Sequence, residues 1–251
     1  MGPLNISQDI DESATAFMST IREANPKTQS ELVERAYRFS WAAHKDQIRK
    51  SGEPFLAHPV SVAVILAEQK LDSVTIAAGL LHDVLEDTPI TREAIQKEFG
   101  DEILLLVEGV TKIQQFQMKS RQDRQAETYR KMLLSMAEDI RVIIIKFADR
   151  LHNLRTLKFL EPEKIASIAA ETLDIYAPLA HRLGMAKMKW ELEDLAFKFL
   201  YPQEYKEIVS KVAASRDERE VVIESFAKPL RSRLALENID AIVVGRPKHL
   251  Y

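Results

Sequence analysis

The sequence predicts an all-α fold, and three observations lead to that prediction. Only seven glycines occur among the 251 residues, which favours helices over turn-rich sheets. Alanine, leucine, glutamate and lysine, which are good helix formers, are frequent throughout the chain. Apolar residues recur three and four positions apart in one segment after another, as on the buried face of a helix. We therefore expect a helical bundle with a short piece of a second domain at its C-terminal end.

Each predicted helix is bounded by residues that begin or end helices. Asp72 or Ser73 can cap one helix, and Gly100 suits a helix end. Pro162 suits the first turn of another helix, and Pro178 is expected to kink or break it. The predicted helices are, in order, residues 28–45, His58 to about Leu66, Asp72 to about Thr88, 91–99, 101–113, 139–160, Pro162 to about Pro178, 186–200, and 203–236 with an interruption at Pro229.

Three segments depart from the helical pattern. Residues 47–54 (QIRKSGEP) are rich in turn formers. Residues 114–125 (QQFQMKSRQDRQ) are polar and basic without an apolar period, which predicts a mobile loop. Residues 239–244 alternate towards a strand, for which the chain offers no neighbouring strands.

Residues 139–160 contain the string RVIIIKF, whose β-branched residues favour a strand. However, the apolar positions continue at helical spacing as far as Leu157. We therefore predict a buried helix. In that helix Asp149, Asn153 and Thr156 are separated by four and three residues and share one face. A solvated polar stripe is the alternative explanation for Asn153 and Thr156.

The bulk composition excludes several classes of function. Hydrophobic residues make up 46% of the chain and charged residues 29%, as in ordinary soluble proteins. No apolar run is long enough to span a membrane, and the N-terminus lacks the features of a secretory signal, so we expect a cytoplasmic protein. A net charge of −3 argues against general affinity for nucleic acid. The absence of cysteine excludes disulfides, thiolate zinc sites and cysteine nucleophiles.

Four histidine and aspartate residues form a candidate metal site. His58 is followed by His82 and Asp83 in the string HDVLED, and by Asp149 in FADRLHN. Imidazole and carboxylate groups from three helices can together bind one divalent metal ion. Taken alone, His58 is better explained as a structural residue at a helix start, and a His-Asp pair is often a solvated one. The combination with an aspartate in a buried helix favours a metal site, because a buried aspartate needs a partner.

Two further carboxylates follow this pair. Glu86 and Asp87 each come four residues after His82 and Asp83, which would place them one turn further along one helix. A metal site with spare carboxylates beside it is typical of metal-assisted hydrolysis, in which the spare pair handles protons. The remaining histidines His44, His152 and His181 are expected to be structural, with a supporting contact to the metal site left open for His152, and His249 to be irrelevant to it.

Several longer strings resemble the amino-terminal half of the RelA/SpoT homologue family. They are RKSGEPFLAHP, GLLHDVLEDT, GVTKI, KFADRLHNLRTL, YAPLAHRLGMAKMKWELEDLAF and GRPKHLY, and they cover roughly residues 30–251. The resemblance implies a helical HD-type phosphohydrolase that removes the 3′-pyrophosphate of ppGpp or pppGpp, giving GDP or GTP and pyrophosphate. The HDxxED string is intact here, as in family members that hydrolyse. The resemblance also implies Mn²⁺ as the metal.

The resemblance implies a nucleotide pocket as well. Arg49 and Lys50 lie in the RKSGEP loop, which lines that pocket in the family, although a solvated pair would have the same sequence. Asn153, Arg155 and Thr156, in the string LHNLRT, are carried over as nucleotide contacts.

The family pattern suggests two domains. Residues 1–200 would form the hydrolase domain, and residues 201–251 a connecting helix and the truncated beginning of an α/β synthetase domain. We expect no synthesis of (p)ppGpp by this chain, and synthetase and regulatory C-terminal domains as partners in a full-length protein. Two alternatives stay open: an HD hydrolase of another phosphorylated nucleotide, and a regulatory module that binds nucleotide without turnover.

Overall fold

The computed structural model describes residues 9–49, 52–114, 138–213 and 216–239, with single positions at 130, 132, 134, 241 and 243. Within these residues helices are the only regular elements, which confirms the all-α prediction. The helices are α1 (Ile10–Ala24), α2 (Ser30–His44), α3 (Ala57–Glu68), α4 (Ser73–Leu81), α5 (Val84–Asp87), α6 (Arg92–Gln114), α7 (Ile140–Arg155), α8 (Pro162–Glu171), α9 (Ala177–Arg182), α10 (Ala186–Leu200), α11 (Pro202–Ala213) and α12 (Arg216–Leu236).

Helix α4 lies in the centre of the bundle, where it packs against α2, α3 and α6. Its sequence SVTIAAGLL is apolar on all sides, and every residue except Val74 is buried. Asp72 begins the helix, because its carboxylate accepts a hydrogen bond from the backbone nitrogen of Thr75 at 2.9 Å. A side chain at Gly79 would meet Leu66 at 2.5 Å, so glycine allows α3 and α4 to approach closely. This packing places the end of α4 deep in the core.

Helix α7 is the predicted buried helix, despite the β-branched residues in its first turns. It packs against α3, α6 and α10, and Val142, Ile143 and Ile145 are fully enclosed. Asp139 caps the helix by accepting from the backbone nitrogen of Arg141 at 2.8 Å. Tertiary burial therefore outweighs the local strand preference of this segment.

One predicted helix is broken where the candidate metal site begins. The sequence indicated continuous helix from Asp72 to about Thr88, but α4 ends at Leu81 and α5 starts again at Val84. His82 and Asp83 occupy the turn between them. Backbone hydrogen bonds from Glu86 and Asp87 to the carbonyl of Asp83 keep this break tight.

Other boundaries differ in smaller ways. Gly100 has a φ of +83°, which glycine adopts without strain, and divides α6 into two straight parts. Around Pro178 the chain stays helical and adjusts with a π turn at Thr172–Tyr176. The predicted interruption at Pro229 is wrong, because α12 runs through it. Residues 115–125 of the predicted loop and most of the predicted strand at 239–244 lie outside the described residues.

The first helix was not predicted from the sequence. Helix α1 places Phe17 and Ile21 in the core, and Asp9 caps it by accepting from the backbone nitrogen of Asp11. No helix in the described part of the chain combines the length and the apolar character that a membrane crossing requires.

Candidate metal centre and adjoining cavity

The structure brings the four predicted metal-ligating residues together from three parts of the bundle. His58 lies in the first turn of α3, His82 and Asp83 in the break after α4, and Asp149 in α7. The His58 Nε2 atom is 3.2 Å from Asp149 Oδ1 and 3.5 Å from Asp83 Oδ2. All four side chains are buried. Ligand atoms of His58, His82 and Asp149 lie within 4.8 Å of one another, a spacing that suits a single metal ion.

The orientation of His82 fits a metal ligand. Its Nδ1 lies 2.8 Å from the carbonyl of Gly79, which only accepts hydrogen bonds, so Nδ1 carries the proton. The Nε2 atom then presents a lone pair, which is buried and has no hydrogen-bond partner in the part of the chain that the structure describes. It faces Asp83 Oδ1, another acceptor, at 3.1 Å. Two buried acceptors in contact are unfavourable unless a cation binds both, so these residues fit a divalent ion.

His152 holds the ring of His58. The two Nδ1 atoms are 2.7 Å apart, so one of them donates to the other. Burial, together with the nearby positive charge of Arg49, lowers the pKa of His152 to about 3, which keeps this ring neutral. His152 can thus accept the proton of His58 Nδ1 and leave His58 Nε2 free for the metal. This is the supporting contact that the sequence left open.

Asp149 is ionised by its neighbours. Burial acts to raise its pKa, but the Lys146 ammonium, which contacts Oδ2, holds that pKa well below its ordinary value. Asn153 donates from Nδ2 to Asp149 Oδ1 at 2.6 Å. Lys146 was missed by the sequence analysis, although its position three residues before Asp149 in a buried helix was a possible signal.

Glu86 and Asp87 lie in α5, beside the cluster. Glu86 is half-buried, and burial together with the charge of Asp83 raises its pKa to about 7. Its Oε1 atom is buried, and no described residue forms a hydrogen bond with it. Asp87 is exposed, and partial burial of its carboxyl and the same Asp83 charge raise its pKa as well. A carboxyl group with a pKa near 7 can both accept and donate a proton at neutral pH.

A cavity of about 540 Å³ opens beside Asp149. It has the size of a small-molecule site. Three of its lining residues are predicted contacts, namely Arg49, Asn153 and Thr156. Arg49 Nη2 donates to Asn153 Oδ1 at 3.4 Å, while Arg49 Nη1 is buried without a hydrogen-bond partner among the described residues. The cavity wall also includes apolar groups such as Phe55, Leu157 and Ile168. Asp149 therefore belongs both to the metal cluster and to the cavity wall.

Two other predicted contacts do not lie in this cavity. Lys50 lies outside the described residues. Arg155 is turned away, because its exposed guanidinium donates from Nε to Glu191 on α10 at 2.8 Å. It is therefore placed as a surface ion pair, and the helical spacing that favoured Thr156 does not extend to its neighbour.

Besides Lys146, the cavity lining includes two more cations that the sequence analysis did not name. Arg150 donates to Glu171 at 2.7 Å and to the hydroxyl of Tyr176 at 2.8 Å, so its charge is already paired. Lys164, in the first turn of α8, is exposed and forms no ion pair with the described residues. An exposed cation without an ion pair leaves a positive charge available to an anionic ligand.

Comparison with known proteins places the chain among nucleotide-modifying relatives. The family model described as "HD domain" matches residues 36–186. A probable guanosine-3′,5′-bis(diphosphate) 3′-pyrophosphohydrolase of Synechocystis is 48% identical over 251 residues, covering 99% of this chain and 33% of that protein. The bifunctional (p)ppGpp synthase/hydrolase SpoT of Escherichia coli K12 is 48% identical over 226 residues, covering 90% and 32%.

A third relative is named after pyrophosphate transfer instead of pyrophosphate hydrolysis. The GTP pyrophosphokinase of Myxococcus xanthus is 47% identical over 244 residues, covering 96% of this chain and 32% of that protein. These names confirm the resemblance to the RelA/SpoT homologues that the motifs indicated. The chain spans about a third of the length of the curated relatives it matches.

Proposed function

We propose that this chain, which belongs to the HD domain family, is a metal-dependent hydrolase of the 3′-pyrophosphate of ppGpp and pppGpp. The products would be GDP or GTP and pyrophosphate. The observation that carries the proposal is the buried cluster of two imidazoles and two carboxylates, in which His82 Nε2 has no hydrogen-bond partner among the described residues. The names of the relatives supply the substrate, since the cluster by itself does not select a base.

The proposed ligands are His58, His82, Asp83 and Asp149, and the proposed ion is Mn²⁺. Two carboxylates and no thiolate favour a harder ion than a structural zinc site would hold. A divalent ion bound there would act as a Lewis acid on water and on a phosphate oxygen.

The carboxyl groups of Glu86 and Asp87 would transfer the protons in this reaction. Hydrolysis adds water to the phosphorus attached to the ribose 3′-oxygen, breaks that P–O bond and returns a proton to the 3′-oxygen. Glu86 and Asp87 lie beside the cluster with raised pKa values, so the pair can accept the proton of the water and supply one to the leaving oxygen. Arg49 and Asn153, at the cavity wall, would bind the anionic substrate.

The direct test is to incubate the purified protein with ppGpp and to identify the phosphate product. We expect pyrophosphate together with GDP, loss of activity in excess chelator, and best recovery with Mn²⁺. A panel of other phosphorylated nucleotides serves as the comparison. Release of orthophosphate, a preference for another nucleotide, or full activity in chelator would each contradict the proposal.

A further inference from the structure

One buried histidine has no part in the proposed chemistry. His44, the last residue of α2, is 1% exposed. Its ring stacks on Phe55, with centroids 4.6 Å apart and an angle of 22° between the planes. The sequence analysis assigned it a structural role. The contacts of its two ring nitrogens suggest something more specific.

The Nδ1 atom of His44 begins a short hydrogen-bond chain. Gln47 Nε2 donates to the backbone carbonyl of Asp87 at 2.6 Å, which fixes the orientation of the Gln47 amide. Gln47 Oε1 must then accept from His44 Nδ1, which lies 2.8 Å away. The end of α2 is thereby tied to the end of α5, which carries one of the two proposed proton-handling carboxylates.

The same glutamine begins the turn that carries Arg49. The Phe55 backbone nitrogen donates to the Gln47 carbonyl at 2.9 Å, and the Arg49 nitrogen donates to the Glu53 carbonyl at 2.9 Å. His44 therefore contacts both ends of this turn, through its hydrogen bond to Gln47 and its stacking on Phe55. His44 and Gln47 therefore hold both this turn and the end of α5 in place.

The second ring nitrogen of His44 destabilises the fold, because it is buried without a hydrogen bond to any described residue. His44 Nε2 is buried and has no hydrogen-bond partner among the described residues. Burial lowers the pKa of His44, so the ring is neutral and Nε2 is an unsatisfied acceptor. A phenylalanine would stack on Phe55 without that penalty. What it would lack is the Nδ1 donor to Gln47.

We propose that His44 and Gln47 are a positioning pair, which holds Asp87 and the Arg49 turn in a fixed arrangement for the reaction. Neither residue touches the metal ligands or the substrate in this role. The inference rests on the proposed function for its kinetic consequence, but the anchoring of the turn and of α5 can be measured without activity.

The test compares three substitutions of His44. His44→Phe keeps the stacking and removes both nitrogens, His44→Asn places an amide donor near the Nδ1 position, and His44→Gln places one near Nε2. We expect His44→Phe to lower kcat for ppGpp by about 10- to 100-fold, since small misplacements of reacting groups have effects of that size. Bound metal and Tm should stay at wild-type values. His44→Asn should recover most of the rate, and His44→Gln should not.

Two further variants isolate the hydrogen-bond chain. Gln47→Leu should match His44→Phe, and the double variant should be no slower than either single one, because both remove the same connection. The matched control is Tyr37→Phe, which removes another buried hydrogen bond of α2, the 2.6 Å contact with Ser13. Tyr37 faces α1, so its loss should leave kcat unchanged.

Hydrogen exchange separates this inference from the proposed function. In His44→Phe the amides of residues 47–49, 52–55 and 84–88 should exchange faster than in the wild type, whether or not ppGpp is the substrate. Inactivity of the wild type on ppGpp would refute the function alone. Unchanged exchange and unchanged kcat in His44→Phe, a rate loss accompanied by metal loss, or better recovery by His44→Gln than by His44→Asn would overturn the positioning role.

Discussion

The proposed metal ligands and the cations of the cavity differ in how their polar groups are held. Three of the four ligands have a second partner: Gly79 for His82, His152 for His58, and Lys146 for Asp149. Arg49, by contrast, has a buried nitrogen without a hydrogen-bond partner among the described residues, and Lys164 is exposed and without an ion pair there. The ligands are thus preorganised by the fold, whereas these two cations keep hydrogen-bonding groups available for a ligand. Substitutions of the ligands should therefore change metal binding, and substitutions of the cations should change substrate affinity by a smaller amount.

The largest effects are expected from the metal ligands. Asp83→Ala and Asp149→Ala should each abolish metal binding and lower turnover by more than about a thousandfold, because the Lewis acid is lost. Only Asp149→Ala should also destabilise the fold, by roughly 3–5 kcal/mol, since it leaves the buried Lys146 without its counter-charge. Metal content, activity and denaturant unfolding check this. Equal stability of the two variants would show that Lys146 finds another partner.

Glu86→Gln should leave the metal bound and lower kcat by about 10²- to 10⁴-fold, the usual contribution of a general acid or base. Glutamine has the same shape and cannot exchange a proton, so ligand geometry is preserved. Metal content and kcat are the measurements, with Glu108→Gln, on the neighbouring helix α6, as the matched control. An empty metal site in Glu86→Gln would assign Glu86 to the ligands.

The pH dependence of kcat/KM should reflect the ionisation of Glu86. The pKa of Glu86 is raised to about 7, so its base form is lost as the pH falls below that value. A bound cation offsets the Asp83 charge that contributes to the shift, which places the acidic limb of kcat/KM at or below pH 7. The limb should disappear in Glu86→Gln. An identical limb in both proteins would assign it to another group.

Arg49→Ala should raise KM by about tenfold with the metal retained, because a charge-assisted hydrogen bond to an anionic substrate is lost. Arg49→Lys keeps the charge and loses the planar fork, so it should recover only part of the affinity. Titration with ppGpp in the presence of the metal checks both variants. Unchanged KM would return Arg49 to the role of a solvated charge.

The burial of the proposed metal ligands also explains why the sequence could predict them. His58, the His82-Asp83 pair and Asp149 could be chosen because buried imidazole and carboxylate groups need partners, and the fold does bring them together. The break at His82 could not be foreseen, because the apolar residues that follow continue the helical pattern through Val84 and Leu85.

Residues that act only through tertiary contacts were missed. The hydrogen bond between His44 and Gln47 belongs to no motif, and its role depends on the contact of Gln47 with α5. Lys146 was missed for a different reason, because it lies on the same helix as Asp149 and only the burial of both residues makes their ion pair important. Arg155 was chosen as a neighbour of Thr156 in the sequence, yet on a helix adjacent residues point about 100° apart. Helical periodicity therefore predicts which residues share a face. It does not predict that a long side chain such as Arg155 will pair with a residue on another helix.

The smallest effect should come from Lys164, an exposed residue of the cavity wall. Its side chain is exposed, so water and salt screen its charge, and such contacts contribute about 0.2–1 kcal/mol. We expect Lys164→Ala to raise KM for ppGpp two- to fivefold, a change of about that energy, and to leave kcat and metal content unchanged. Lys158→Ala is the matched control, because Lys158 is exposed, lies over the ring of the cavity residue Phe159 and does not itself line the cavity.

The substrate has a second diphosphate, on its 5′-oxygen, that requires a cation away from the metal. A guanosine 3′-diphosphate without the 5′ group should therefore be bound equally by wild type and Lys164→Ala. If Lys164→Ala weakened both substrates equally, Lys164 would act on the cavity as a whole, and the 5′ group would have to be neutralised by solvent or by residues outside the described part of the chain.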